Sequence, residues 1–88
     1  MRYLILAVMI CAGVIGCGPS AEEEFEKGNV NLELEKDDEA IADYTEAIRL
    51  NPEYAAAYYN RGVVYEKQGK QAEADADYAK AEELLGLR

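Results

Sequence analysis

Apolar positions in "DDEAIADYTEAIRLNP" (37–52) recur at helical spacing, so that Ala40, Ile41, Tyr44, Ala47 and Ile48 form one stripe. Asp37 or Asp38 is placed to cap the start of this helix, and Pro52 predicts its stop. Tyr58, Gly62 and Tyr65 share a face in the next segment, as do Ala74, Tyr78, Ala81 and Leu85 in the last. Turns are expected near Asn51 and Gly69. The first helical segment has no single clean stripe: Phe25 and Leu32 share a side, whereas Val30 and Leu34 point away from it. That helix either frays or serves as a polar N-terminal cap, and the cap is the preferred reading. A different pattern precedes it, since no charged residue occurs from Tyr3 to Gly16 and Arg2 is the only basic group before them.

The chain matches itself at an offset of 34 residues, with Gly28, Lys36, Ala40, Asp43, Tyr44, Ala47 and Leu50 meeting Gly62, Lys70, Ala74, Asp77, Tyr78, Ala81 and Leu84. An internal period of this length points to a helix-turn-helix array. The second copy, "AYYNRGVVYEKQGKQAEADADYAKAEELL", resembles the tetratricopeptide repeat at Tyr58, Gly62, Tyr65, Gly69, Ala74, Tyr78 and Ala81. The first copy shares Gly28, Ala40, Tyr44, Ala47 and Pro52, so the resemblance covers roughly residues 21 to 86. It implies an all-α fold of two repeats, about 21–54 and 55–88, as four antiparallel helices in a short right-handed solenoid.

Packing expectations follow from the pattern. Gly62 against Ala74 or Ala81 lets two helix backbones approach, with tyrosines filling the flanks. Ile41 and Ile48 are expected under the third helix, whereas their counterparts Asp75 and Glu82 face an end that nothing covers. Polar outer faces suit the terminal repeats of a stack, so two repeats are read as the whole domain. At about 70 residues such a core supplies only about 3–5 kcal/mol, and pairing with itself or with a partner would add to that.

The apolar start has the layout of a secretory signal, and its run is shorter than the ~20 residues that a spanning helix needs. Val14, Ile15, Gly16 and Cys17 resemble the lipobox of bacterial lipoproteins. That resemblance implies a signal over residues 1–16, lipid attachment (palmitate) on Cys17, a linker over 17–20 and the repeat domain over 21–88. It also implies anchoring in the cell envelope, at the outer membrane if the host has two membranes.

Charge and chemistry narrow the function. Nine Lys and Arg against 18 Asp and Glu give a formal charge of −9, and loss of Arg2 with the signal brings the remainder near −10. Such a surface repels phosphate backbones, so nucleic acid is not an expected partner. There is no histidine, and Cys11 falls within the signal, leaving Cys17 as the single thiol. A structural zinc site therefore lacks a ligand set. Ser20 and Thr45 have no base in a recognisable arrangement, so neither an enzyme nor a cofactor is expected.

What the family resemblance implies is binding by shape, with the first helix of each repeat lining a concave groove for an extended peptide or a partner's helix. The candidates are Phe25, Asn29, Leu32 and Glu33 from the first helix and Tyr59, Asn60, Val63, Glu66 and Lys67 from the third. One branch of the family clamps the C-terminal carboxylate of heat-shock chaperones. Asn29 and Asn60 match two amide positions of that clamp, but Phe25 stands where a lysine belongs, so carboxylate clamping is not expected. The amides are read instead as turn-stabilising or generic backbone contacts. The expected function is a lipid-anchored protein-interaction module. The alternative is a self-associating structural lipoprotein with no peptide ligand.

Overall fold

The computed structural model describes residues 18–87. The expected signal over 1–16 and Cys17 lie outside these residues. Four helices follow one another: α1 (Ala21–Glu33), α2 (Asp37–Leu50), α3 (Ala55–Lys67) and α4 (Gln71–Leu84). Among the described residues there is no strand. α1 packs chiefly on α2 and α3 on α4, α2 joins the two pairs through α3, and a lighter contact links α1 to α3. This is an all-α helical-repeat arrangement, one helical hairpin per 34-residue copy.

α1 is a regular helix that does not fray. Ser20 accepts from the Glu23 amide through its hydroxyl, while the Glu23 carboxylate accepts from the Ser20 amide, each at 3.2 Å. Such reciprocal capping satisfies two donors that a helix start leaves unpaired. The start of α2 departs from expectation, because Lys36 occupies the cap position and no side chain caps it. Asp37 and Asp38 fall instead within the first turn, where a negative charge favours the helix dipole. Asp37 accepts from Lys67 at 3.2 Å and Asp38 from Gln68 at 2.9 Å, so the acidic pair ties α2 to the end of α3.

Three helices end in the same way. Lys36, Lys70 and Leu87 each donate their amide to the carbonyl five residues back, at 2.8–2.9 Å, and the residue before each is left-handed: Glu35 (φ 60°), Gly69 (φ 79°) and Gly86 (φ 76°). Glycine adopts that conformation freely. A side chain there costs about 1–2 kcal/mol, so the Glu35 cap carries strain that the second repeat avoids.

The core is small and built on close helix approach. Ala40, Tyr44 and Val64 are fully buried together, with Phe25, Leu32 and Ile41 packed against them. Ile48 is half-buried, whereas Asp75 and Glu82 are exposed. The nearest partner of each helical glycine is a tyrosine ring, and Gly62 also faces the Ala74 backbone as expected, though not Ala81. A Cβ built on Gly28 would lie 2.6 Å from Tyr44 Cε1. One built on Gly62 would lie 2.9 Å from Tyr78 Cε1, with the Ala74 carbonyl oxygen next at 3.3 Å.

One buried ion pair braces the second repeat. Arg61 donates from Nε and Nη2 to both Asp77 oxygens at 2.8 Å and from Nη1 to Thr45 at 3.1 Å. Its guanidinium lies 5.8 Å from the ring centres of both Tyr58 and Tyr65. Asp77 holds the guanidinium pKa above its ordinary value, against the desolvation that opposes it. A planar fork suits such a site because it can bond two oxygens and stack on aromatic faces together.

The glycine contacts generate a test. Tyr44 is fully buried and cannot yield, so Gly28→Ala should lose about 1–2 kcal/mol in urea unfolding, overpacking of ~1–3 kcal/mol outweighing the ~1 kcal/mol gain in helix propensity. Gly62→Ala should lose less, because Tyr78 is only half-buried and its ring can shift. Equal or greater stability of Gly28→Ala would contradict the packing described.

Candidate functional site

The expected groove residues separate into two clusters and one seam contact. The first cluster surrounds Tyr44. Its hydroxyl donates to Asn29 Oδ1 at 2.5 Å, and Asn60 Nδ2 donates to the same Oδ1 at 2.9 Å and to the Tyr44 hydroxyl oxygen at 3.5 Å. Asn29 and Asn60 are thus structural bridges from α1 to α3 rather than turn-stabilising groups. Burial is the main cause that raises the Tyr44 pKa, and the Asn60 hydrogen bond lowers it in part.

Phe25 belongs to this cluster as packing. It is half-buried, with its ring centre 5.7 Å from that of Tyr44 and 5.0 Å from that of Tyr54. Leu32 is half-buried against the same core, and Glu33 is exposed. Asn31 adds a link to α2 by donating to Asp43 at 2.6 Å.

The second cluster lies on α3 and α4. Tyr59 is 54% exposed, and its ring centre is 5.2 Å from that of Tyr78. Tyr78 donates its hydroxyl to Glu66 at 2.7 Å. Val63 is half-buried between the amide cluster and this one in the α3 sequence. Lys67 joins neither cluster, being engaged with Asp37 at the α2–α3 seam.

The periodicity of α1 and α3 did not reveal the tyrosines that pack against their candidate residues. Tyr44, Tyr54 and Tyr78 each contact a candidate groove residue, yet they stand on α2, before α3 and on α4. The 34-residue offset carries part of that signal, since it superposes Phe25 with Tyr59 and Tyr44 with Tyr78, and so relates the Phe25–Tyr44 ring pair to the Tyr59–Tyr78 pair. Among the described residues no group of three or more His, Cys, Asp and Glu side chains could hold a metal ion.

Comparison with known proteins agrees with this architecture. A family model described as "TPR repeat" matches residues 28–69, and one described as "Tetratricopeptide repeat" matches 55–84. The chain therefore carries tetratricopeptide repeats. It is similar to the Hsp70-Hsp90 organizing protein of Triticum aestivum, 47% identical over 64 residues. Hsp70-Hsp90 organizing protein 3 of Arabidopsis thaliana and Hsp70-Hsp90 organizing protein 1 of Glycine max are each 45% identical over 64 residues. Each match takes in 73% of this chain but only 11–12% of the relative, so the chain spans about a tenth of the length of these relatives.

These relatives overturn the localisation expected above. They are plant Hsp70-Hsp90 organizing proteins, not envelope lipoproteins. The envelope expectation rested on the apolar start and the four residues ending at Cys17, whereas the similarity to these relatives extends over 64 residues.

Tyr78 provides a pH test of the second cluster. Burial first, then the hydrogen bond to Glu66, pushes its pKa from 10.0 up to about 12. The fold thus favours the neutral phenol, a contribution fully present below pH 10 and lost as pH rises toward 12. Tyr78→Phe should show a shallower decline in melting temperature over that interval than the parent chain, and should remove the latest step in the phenolate absorbance titration. Coincident pH profiles would place Tyr78 in water instead.

Proposed function

We propose that the chain is a protein-binding module that holds a partner polypeptide along the face shared by α1 and α3. The observation that supports this most is the Asn60-to-Asn29 hydrogen bond at 2.9 Å. It holds the first helices of the two repeats side by side, so that Asn29, Asn60, Val63 and Tyr59 form one surface with an apolar and aromatic end and an amide middle. The Asn29 Nδ2 group has no partner among the described residues, leaving a donor for a peptide carbonyl. Aromatic anchors beside placed polar groups are the usual energetic centre of such a surface.

Similarity to proteins named for organising Hsp70 and Hsp90 makes those chaperones the first partners to test. Phe25 is packed between Tyr44 and Tyr54 and supplies no charge, so recognition rests on shape, aromatic contact and amides rather than on a cationic grip. Immobilised Hsp70 and Hsp90 should each be tried against the full chain and against Tyr59→Ala, whose exposed side chain can be removed without unfolding. Binding of at least one chaperone, weakened fivefold or more by Tyr59→Ala, is expected. Absence of binding to both, or equal binding by the variant, would defeat this reading.

A further inference from the structure

α1 touches α3 whereas α2 and α4 do not meet, so α1 and α3 form the inner layer of the stack. On that layer Glu22, Glu26, Asn29 and Glu33 recur along one side of α1. Asn29 identifies this side, because its amide oxygen meets Asn60 of α3. Burial first, and then the charges of Glu22 and Glu26, raise the pKa of Tyr54. Burial likewise raises that of Tyr44, with Asp43 and Glu26 adding to it. The two carboxylates therefore stand at the end of the face where the half-buried rings of Phe25 and Tyr54 lie 5.0 Å apart.

No cation of the fold answers these carboxylates. Glu22, Glu26 and Glu33 are exposed and make no ion pair or hydrogen bond among the described residues. α1 and α3 carry three basic residues, each held by another acid: Lys27 by Glu24, Arg61 by Asp77 and Lys67 by Asp37. Lys36 and Lys70 stand past the far ends of the two helices. The other acids of these helices are occupied, Glu23 in the cap of α1, Glu24 with Lys27 and Glu66 by the Tyr78 hydroxyl. What is left on the face is negative charge beside two aromatic rings.

We propose that the α1–α3 face holds an extended internal segment of its partner through a lysine or arginine side chain, its stem along the Phe25 and Tyr54 rings and its charged head between Glu22 and Glu26. The proposal rests on the binding face described above and adds the chemistry of what that face takes. Long basic side chains lay their methylenes on apolar surface while the head stays with charge and water. A cation beside an aromatic ring is attracted by the ring as well. An acidic segment, or a chain-terminal carboxylate, would instead meet three carboxylates and no free cation on either helix. Like charges brought together in this way exclude the wrong partner.

The test uses immobilised nonapeptides with both ends capped, each fixed at its centre as Lys, Arg, Asp or Glu and randomised elsewhere, and exposed to the full chain. Peptides fixed as Lys or Arg should retain at least fivefold more protein than those fixed as Asp or Glu, and the preference should shrink as salt is raised. Glu22→Gln/Glu26→Gln should lose that preference with unchanged circular dichroism. Glu39→Gln/Glu73→Gln, the same change of charge on α2 and α4, should keep it. The proposal is overturned if acidic peptides bind as well, if the Glu22 and Glu26 variant keeps the preference, or if the α2 and α4 variant loses it equally. Chaperone binding weakened by Tyr59→Ala but untouched by Glu22→Gln/Glu26→Gln would remove this proposal and leave the face. Selection through Glu22 and Glu26 without binding to either chaperone would leave the basic segment and remove the chaperones.

Discussion

The contact on which the rest depends is a tyrosine ring lying on a helical glycine. Gly28 lets α1 approach α2 until the Tyr44 ring covers its backbone, and Gly62 does the same for α3 beneath Tyr78. Small residues line the same interfaces, with Ala40, Ala47, Ala74 and Ala81 nearly or fully buried. So little side-chain volume cannot fill a wide gap between helices. The chain compensates by bringing backbones close and giving each hairpin one large ring, which fixes the depth and register of packing.

The tyrosines carry that order from one repeat to the next. The Tyr44 hydroxyl, at the far end of a fully buried ring, reaches Asn29, and Asn60 closes on the same atoms from α3. Lys67–Asp37, Gln68–Asp38 and Arg61–Thr45 fasten the seam along its length. These bonds are directional, so they specify how the hairpins sit together where a purely apolar seam would tolerate sliding. The binding face proposed for α1 and α3 is a product of this seam, since the two helices make only a light direct contact.

Much of the fold was legible because periodicity reports on side chains that face a neighbour. The stripe Ala40, Tyr44 and Ala47, the 34-residue offset and the stops at Asn51 and Gly69 all survive in the structure. Capping was less legible. Asp37 and Asp38 are good caps in isolation, but tertiary partners on α3 recruit them instead. The α1 boundary held despite its poor stripe, because Ser20 and Glu23 cap it and a strained Glu35 closes it. The partners of the candidate residues were not legible, for no spacing along α1 reveals that Asn29 meets a hydroxyl from α2. The envelope localisation was read from the apolar start and Cys17 alone, and the relatives matched by the repeats are plant Hsp70-Hsp90 organizing proteins instead.

Solution NMR of the chain tests the central contact most directly, through the α-protons of Gly28 and Gly62 and the rings of Tyr44 and Tyr78. A glycine beneath an aromatic face should show α-protons shifted upfield by the ring current, with cross-relaxation from Gly28 to Tyr44 and from Gly62 to Tyr78. Glycine signals at ordinary helical positions, without cross-peaks to either ring, would contradict the packing from which the seam and its binding faces follow.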